Sequence, residues 1–269
     1  MKRTAAMLLG ASLLYSATVH SQSPETVAQI NEMGSGSHTD LMNTLLQYNG
    51  AIEIIPTDDF SQGHGSLVQA SRIEGLIALA QMARTDAHES SWLYFPGCDA
   101  WINATEQVGD ATATLDTQLL AHGLSVSQRL VVAHTHTDAE YNSYYSRREI
   151  SDFGPSLYVV PTRQDVQALM HNANMNPGST IEYIIVSSTG ALTMSCRALG
   201  YDLNNPYGSR AFADIANVEF TFVLRHLQGT PQERLEQRTA EFRGTVSLAF
   251  ESIEALSEQN EPKSSPSKR

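Results

Sequence analysis

The chain is poor in cysteine, in basic residues and in long apolar runs, and each shortage excludes a class of protein. Its only two cysteines, Cys98 and Cys196, are too few for a disulfide scaffold. In an exported protein they favour a single bridge over two separate buried thiols. The 17 lysines and arginines are outnumbered by 29 aspartates and glutamates, which gives a net charge of −12. This excess of negative charge argues against a nucleic-acid or anionic-membrane partner, because both reward a basic face.

Both ends of the chain differ in composition from the part between them. Residues 1–21 combine a basic start, an apolar run and small residues, which is typical of a secretory signal peptide. The run is too short to be a membrane anchor, so we predict an exported protein, periplasmic or secreted, with no anchor after cleavage. Residues 259–269 contain no apolar residue other than proline and are predicted to form a disordered tail.

The remaining residues predict an N-terminal extension over 22–65 and one α/β (α+β) domain over 66–258. Apolar spacing predicts helices over residues 39–47, 66–84 and 114–122, a helix that begins near 165, and a long C-terminal helix over 230–256. Alternating and β-branched runs predict strands over residues 51–55, 90–95, 129–136, 156–160, 181–186 and 191–196. This order predicts a central mixed sheet flanked by helices.

The segment 129–136, Arg-Leu-Val-Val-Ala-His-Thr-His, places two histidines at the end of an apolar run. Positions i and i+2 of a strand face the same side, so His134 and His136 are expected to present their imidazoles side by side. Neutral imidazole is a common metal ligand, and two of them form half of a tetrahedral zinc shell. The alternative is a pair of ordinary surface histidines, and the residues around the pair decide between these two hypotheses.

Those surrounding residues resemble the motif of the JAMM (MPN-domain) metalloproteases. The motif consists of a glutamate after the first helix, then His-x-His-Pro, then Ser-x-x-Asp. Glu89 stands where the family has its glutamate, and His134 and His136 match the paired histidines. Thr162 stands in place of the serine, and Asp165 matches the aspartate. The resemblance implies a JAMM/cytidine-deaminase-like core.

The resemblance also implies a zinc-dependent hydrolase of peptide or isopeptide bonds, with a peptide or protein as substrate. His134, His136 and Asp165 would be the three protein ligands of a Zn²⁺ ion. The fourth zinc position would hold a water molecule whose pKa the metal lowers to about 7. Glu89 would take the proton of that water and pass it to the leaving amine. Thr162 would donate its hydroxyl to the oxyanion that forms during attack.

The chain departs from the family pattern in two places. Thr137 stands where the family usually has proline, which affects the shape of the loop more than metal ligation. Residues 138–153, a polar and tyrosine-rich segment, have the character of an insertion and lengthen the gap to the second half of the motif. Loops of this kind beside a metal site often shape substrate binding. The resemblance covers roughly residues 66–196.

Other carboxylates compete for two of the implied roles. Glu149 and Asp152, in the apparent insertion, are alternatives to Asp165 as the third ligand. We favour Asp165, because a helix and then an apolar strand are predicted to follow it, as in the family. Glu74 is the alternative to Glu89, but its position in the middle of a predicted helix indicates a solvated side chain.

Two other classes of protein compete with the metalloprotease hypothesis. The histidine pair followed by Asp138 matches the opening His-x-His-x-Asp of the metallo-β-lactamases. Ala139 stands where that family has a histidine, and its further ligands would have to be His171 and His226. We therefore rank this hypothesis second. The third is a JAMM-like scaffold that acts as a non-catalytic binding module.

Overall fold

The structure, a computed structural model, has a mixed α/β fold built on one large sheet. It describes residues 38–48, 50, 53–107, 113–127, 129–139, 180–196 and 246–260, and the single residues Asn142, Val159, Pro161, Asp165, Ala168, Leu169 and Asn172. The described helices are α1 (His38–Leu46), α2 (Arg72–Thr85), α3 (Thr117–Val126) and α4 (Ile253–Asn260). None of them is long and apolar enough to cross a membrane.

Ten strands lie in the described ranges: β1 (Ile55–Thr57), β2 (Ser66–Gln69), β3 (Ser91–Phe95), β4 (Ala100–Asn103), β5 (Thr105–Gln107), β6 (Ala113–Leu115), β7 (Arg129–Thr135), β8 (Thr180–Ser187), β9 (Gly190–Cys196) and β10 (Val246–Ser252). Eight form the main sheet in the order β1-β2-β4-β3-β7-β8-β9-β10, and β5 pairs with β6 separately. The pairs β1–β2 and β7–β8 are parallel, and the other pairs of the main sheet are antiparallel. The predicted mixed sheet is therefore confirmed.

Helices cover both faces of this sheet. Leu45 of α1 and Leu119 of α3 join one apolar cluster, and we call this side the α1/α3 face. Leu76 of α2 and Leu256 of α4 join a second cluster on the opposite side, the α2/α4 face. Strand β7 alternates between them: Leu130 and Val132 belong to the first cluster, Val131 and Ala133 to the second. Because both faces are covered, the strand is apolar without interruption from Leu130 to Ala133.

The helix predicted over residues 66–84 begins later than its apolar spacing indicated. Residues Ser66–Gln69 form strand β2, and α2 begins at Arg72. Ser71 is its N-cap, and Ser71 and Glu74 form a capping box in which each side chain bonds the other's backbone N–H. These bonds lower the pKa of Glu74. Glu74 therefore has a structural role at the helix start, and it is not mid-helix as predicted.

The helix predicted over residues 114–122 is wrong at both ends, because the helix begins and ends later in the chain. Helix α3 begins after Asp116, whose carboxylate caps it by accepting the N–H groups of Gln118 and Leu119. It then continues through Gly123 to Val126. Gly123 serves packing here, because a side chain at this position would press on the ring of Phe95.

The two outer strands also differ from the prediction. The strand predicted over residues 51–55 is displaced along the chain: Glu53 and Ile54 lie outside β1 (Ile55–Thr57), and Pro56 lies inside it. β1 ends the described sheet, and proline is tolerated in an edge strand.

The long C-terminal helix is wrong over Val246–Ser252, which pair with β9 as β10. Among the described residues of this segment, Ile253–Asn260 are helical. Val246, Leu248 and Phe250 also satisfy the two-residue period of a strand. The part of the predicted helix over residues 230–245 lies outside the described residues.

The predicted bridge between Cys98 and Cys196 does not form. Cys98 is a free, buried thiol in the turn between β3 and β4, and burial raises its pKa to about 11. Cys196 ends β9, three strand spacings from β3 in the sheet order. Three spacings amount to about 14 Å, twice the largest separation that a disulfide can bridge.

Several predictions fall on residues outside the described ranges. They are the signal peptide over residues 1–21, the extension before residue 38, the tail after residue 260, nearly all of the apparent insertion, and the strand over 156–160 apart from Val159. These remain predictions. The strands predicted over residues 90–95, 129–136, 181–186 and 191–196 are confirmed as β3, β7, β8 and β9, and β8 and β9 pair as a hairpin.

Gly75 offers a test of the packing on the α2/α4 face. A side-chain carbon at this position of α2 would run into the indole of Trp101. Replacing a helical glycine by alanine ordinarily stabilises by about 1 kcal/mol, but overpacking a core costs about 1–3 kcal/mol. We expect Gly75→Ala to lower the free energy of unfolding in urea. Gln81→Ala, at an exposed position of the same helix, is the control and should change it little; a stabilised Gly75→Ala would contradict this packing.

Candidate metal centre

The site lies at the carboxyl end of β7, on the α1/α3 face. His134 is the second-last residue of β7, and the N–H of His136 donates to the carbonyl of Val186 at 2.8 Å. This bond continues the pairing with β8 beyond the end of the strand, so that both imidazoles stay on one face. Their ring centroids are 5.3 Å apart and perpendicular. Both histidines are buried, with 7% and 1% of their surface exposed, so they are not a surface pair.

Glu89 reaches the histidines from the neighbouring strand. It lies between α2 and β3, as the sequence predicted, and it is 9% exposed. Ser91 is paired with His134 across the β3–β7 ladder, and Glu89, two residues earlier, is expected on the same face. Its Oε2 lies 3.3 Å from Nε2 of His134.

Two hydrogen bonds between Ser90, which directly precedes β3, and Thr135 of β7 hold Glu89 in this place. The N–H of Ser90 donates to the hydroxyl oxygen of Thr135 at 2.7 Å, and the N–H of Thr135 donates to the carbonyl of Ser90 at 2.9 Å. The two hydroxyls are 3.1 Å apart, and the indole N–H of Trp92 donates to the Ser90 hydroxyl at 3.2 Å. We call Ser90 and Thr135 the hydroxyl clamp. It ties the residue after Glu89 to the residue between the histidines.

Asp165 approaches from the other side of the histidine pair. It is helical and 5% exposed, and its Oδ2 lies 3.5 Å from Nε2 of His136. Its Oδ1 accepts a hydrogen bond from the phenol of Tyr183, on β8, at 3.4 Å. Burial, together with the negative charges of Asp165 and Glu89, raises the pKa of Tyr183 well above its usual value. The phenol therefore stays protonated and remains a donor.

These contacts bring two carboxylates to the histidine pair, one to each ring. Glu89, His134 and His136 each offer a ligand atom within 4.8 Å of the others, and this group could hold a metal ion. Asp165 touches the group through His136. The structure thus brings together four of the five residues that the motif singles out, while their division into three ligands and a base stays a prediction. Thr162, Glu149 and Asp152 lie outside the described residues.

Sequence reasoning missed the polar residues that support this group. The hydroxyl of Ser91 lies 3.4 Å from Nδ1 of His134, the ring nitrogen opposite the one that faces Glu89. Tyr183 belongs to a run predicted only as an apolar strand. The one available indication was the Ser90–Ser91 pair at the start of an otherwise aromatic strand; the partners of Tyr183 required the strand register.

Asp138 is bound elsewhere. The hydroxyl of Ser188, in the turn between β8 and β9, donates to its Oδ1 at 2.6 Å. Among the described residues, the group of potential ligands contains Glu89 and not Asp138. His171 and His226 lie outside the described residues. The geometry of Asp138 therefore gives the metallo-β-lactamase hypothesis no support.

Other histidines that the sequence draws attention to have different surroundings. His64 has its Nε2 3.0 Å from Oδ2 of Asp116. His122 lies within α3, which continues past it to Val126. Its ring lies 4.7 Å from that of Tyr48, and burial lowers its pKa. His88 is exposed.

Comparisons of the chain with protein-family models, with curated proteins and with solved structures found no match. The structure and the residues on their own define the class: an α/β protein with a buried group of two histidines and two carboxylates at one end of its sheet. Function has to be argued from the chemistry of that group.

The hydroxyl clamp predicts a cost for Thr135→Val. Valine keeps the shape of threonine but leaves the buried N–H of Ser90 without its acceptor, which costs about 1–3 kcal/mol. We expect a loss of this size in the free energy of unfolding, measured by urea denaturation. Thr135→Ser keeps the hydroxyl and is the control. Its free energy of unfolding should fall only by the contribution of one buried methyl group. An unchanged stability of Thr135→Val would show that the clamp contributes nothing.

Proposed function

We propose that the protein is a zinc-dependent hydrolase that cleaves a peptide or isopeptide bond, the activity implied by its resemblance to the JAMM motif. One observation carries the proposal. Two carboxylates from separate segments, Glu89 and Asp165, converge within 3.3 and 3.5 Å on Nε2 of His134 and His136, respectively. All four side chains are buried, so the arrangement differs from the acidic clusters common on protein surfaces.

The donor set is chemically suited to zinc. Imidazole nitrogens and carboxylate oxygens are both zinc ligands, and two histidines with one carboxylate are a known catalytic set. The charge balance supports the same conclusion. Burying a carboxylate is costly unless a positive charge compensates it, and two carboxylates face a pair of histidines here. A divalent cation held by His134, His136 and Asp165 would provide that compensation.

In the proposed reaction, this chain's residues bind, orient and move a proton. A bound zinc ion supplies a Lewis acid that polarises the scissile carbonyl and acidifies water. The carboxylate of Glu89 takes one proton from the attacking water and delivers it to the leaving amine nitrogen as the carbon–nitrogen bond breaks. The hydroxyl clamp keeps Glu89 at the site, which reduces the entropy to be lost at the moment of proton transfer. Thr162 donates to the oxyanion in this proposal.

The fold and the charge support the remainder of the proposal. The mixed sheet with the histidine pair at a strand end is what a JAMM/cytidine-deaminase-like core requires. The net charge of −12 suits a protein or peptide partner better than a nucleic acid. Export to the periplasm or medium rests on the predicted signal peptide. A metal-free binding module is less favoured, because burying two carboxylates is costly unless their charge is compensated.

Metal content provides the first test. Purified protein, dialysed against buffer with trace zinc, should carry about one zinc per chain by elemental analysis. His134→Ala and His136→Ala should each lose it, because two of the ligand atoms are theirs. His88→Ala, an exposed histidine one residue from Glu89, is the matched control and should retain full zinc. Two metals per chain would favour the lactamase-like hypothesis, and none would refute the proposal.

The role of Glu89 is tested by Glu89→Gln. Glutamine keeps the shape but is not basic, so we expect at least a 100-fold loss of hydrolysis with zinc still bound. The assay is mass spectrometry of a defined mixture of peptides that contains both main-chain and lysine side-chain amide bonds. If zinc is lost together with activity, Glu89 is a ligand and the base lies elsewhere.

The complementary variant is Asp165→Asn, which should reduce zinc affinity because it removes a charged ligand. Glu149→Gln is its control, from the insertion that the sequence offers as an alternative. We expect zinc affinity to fall for Asp165→Asn only. The reverse order would move the third ligand into residues 138–153.

A further inference from the structure

Tyr183 is a buried side chain that links the proposed third ligand to the sheet. It lies on β8, on the α1/α3 face, and it is 7% exposed. The ladder pairs Tyr183 with Val132, two residues before His134, and Ile185 with His134 itself. Its ring centroid is 6.5 Å from that of His134. Tyr183 thus lies beneath the histidines, in the layer between the site and the apolar core.

The two oxygens of Asp165 have different neighbours. Oδ1 accepts from the Tyr183 phenol at 3.4 Å, whereas Oδ2 faces Nε2 of His136 at 3.5 Å. A carboxylate held by one oxygen presents the other in a defined direction. Groups that hydrogen-bond a metal-binding carboxylate orient it, and their loss typically costs 10- to 100-fold in metal affinity.

We propose that Tyr183 is a positioning residue that binds Oδ1 of Asp165 and so directs Oδ2 alone towards the metal. This inference rests on the metal site of the proposed function. It adds that Oδ1 of Asp165 accepts the hydrogen bond of Tyr183 while Oδ2 binds the metal. The phenol acts through Asp165 and touches neither substrate nor metal. Its benzene ring has a separate task, which is to fill the core beside His134.

The structure supplies a matched control for the hydroxyl of Tyr183. Tyr94 is also buried, on strand β3, and its phenol also donates to an aspartate, Asp99, at 2.6 Å. Tyr94 belongs to the cluster on the α2/α4 face, away from the histidines. Tyr94→Phe and Tyr183→Phe therefore delete the same kind of bond, but only Tyr183→Phe deletes one that touches the site.

The test measures zinc affinity of the full chain by competition with a chromophoric chelator. We expect Tyr183→Phe to weaken zinc binding by about 10- to 100-fold and Tyr94→Phe to stay within about twofold. With Co²⁺ in place of zinc, the visible ligand-field bands should shift for Tyr183→Phe alone, because the ligand geometry changes. Zinc affinity within twofold of wild type for Tyr183→Phe would overturn the inference, even if the variant is less stable.

A second comparison makes the test independent of the folding of any one variant. In an Asp165→Asn background the phenol has no carboxylate to orient, so adding Tyr183→Phe should change zinc affinity no further. An additional loss in the double variant would show that Tyr183 acts on the metal by another route, and would overturn the inference. Failure of the wild-type chain to bind zinc would refute the proposed function itself. If the wild type binds zinc and Tyr183→Phe binds it equally well, only the positioning role of Tyr183 is refuted.

Discussion

The pairing of β7 with a different strand on each side is the constraint on which the site depends. Its antiparallel partner β3 aligns Ser91 with His134, and its parallel partner β8 aligns Ile185 with the same residue. Since side chains alternate between faces, these two registers also determine where Glu89 and Tyr183 lie. A one-residue slip of either strand would turn its polar residue to the α2/α4 face. The apolar clusters on both faces oppose such a slip.

Burial gives the site its chemical character. In a low-dielectric interior, hydrogen bonds and charges act more strongly than in water, and unsatisfied polar groups cost more. The polar residues here are accordingly tied to one another: Ser90 to Thr135, Tyr183 to Asp165, and Ser91 to His134. Such a network restricts the side chains that it connects, so the proposed site would need little reorganisation when a cation or substrate binds.

The sequence was sufficient for features that depend on neighbouring residues and insufficient for those that depend on distant ones. The histidine pair follows from the two-residue period of a strand, and the hairpin β8–β9 from its apolar runs around a Ser-Thr-Gly turn. Glu89 and Asp165 could be connected to the histidines only through the resemblance to a family motif. The strand β10 was missed because Val246, Leu248 and Phe250 fit either period, and pairing with β9 decides. The roles of Ser91 and Tyr183 required a register that no local pattern encodes.

The arrangement of carboxylates bears on which of them acts as the base. Glu89 belongs to the group of potential ligand atoms that lie within 4.8 Å of one another, and Asp165 contacts this group at His136. Proximity alone would make Glu89 the ligand. The contacts that hold the two carboxylates favour the opposite assignment. The phenol of Tyr183 binds Oδ1 of Asp165 and, in our inference, orients Oδ2 as a metal ligand requires. Glu89 is placed through the backbone of its neighbour Ser90, and its Oε2 lies at the histidine pair, where a general base would have to lie to reach a metal-bound water.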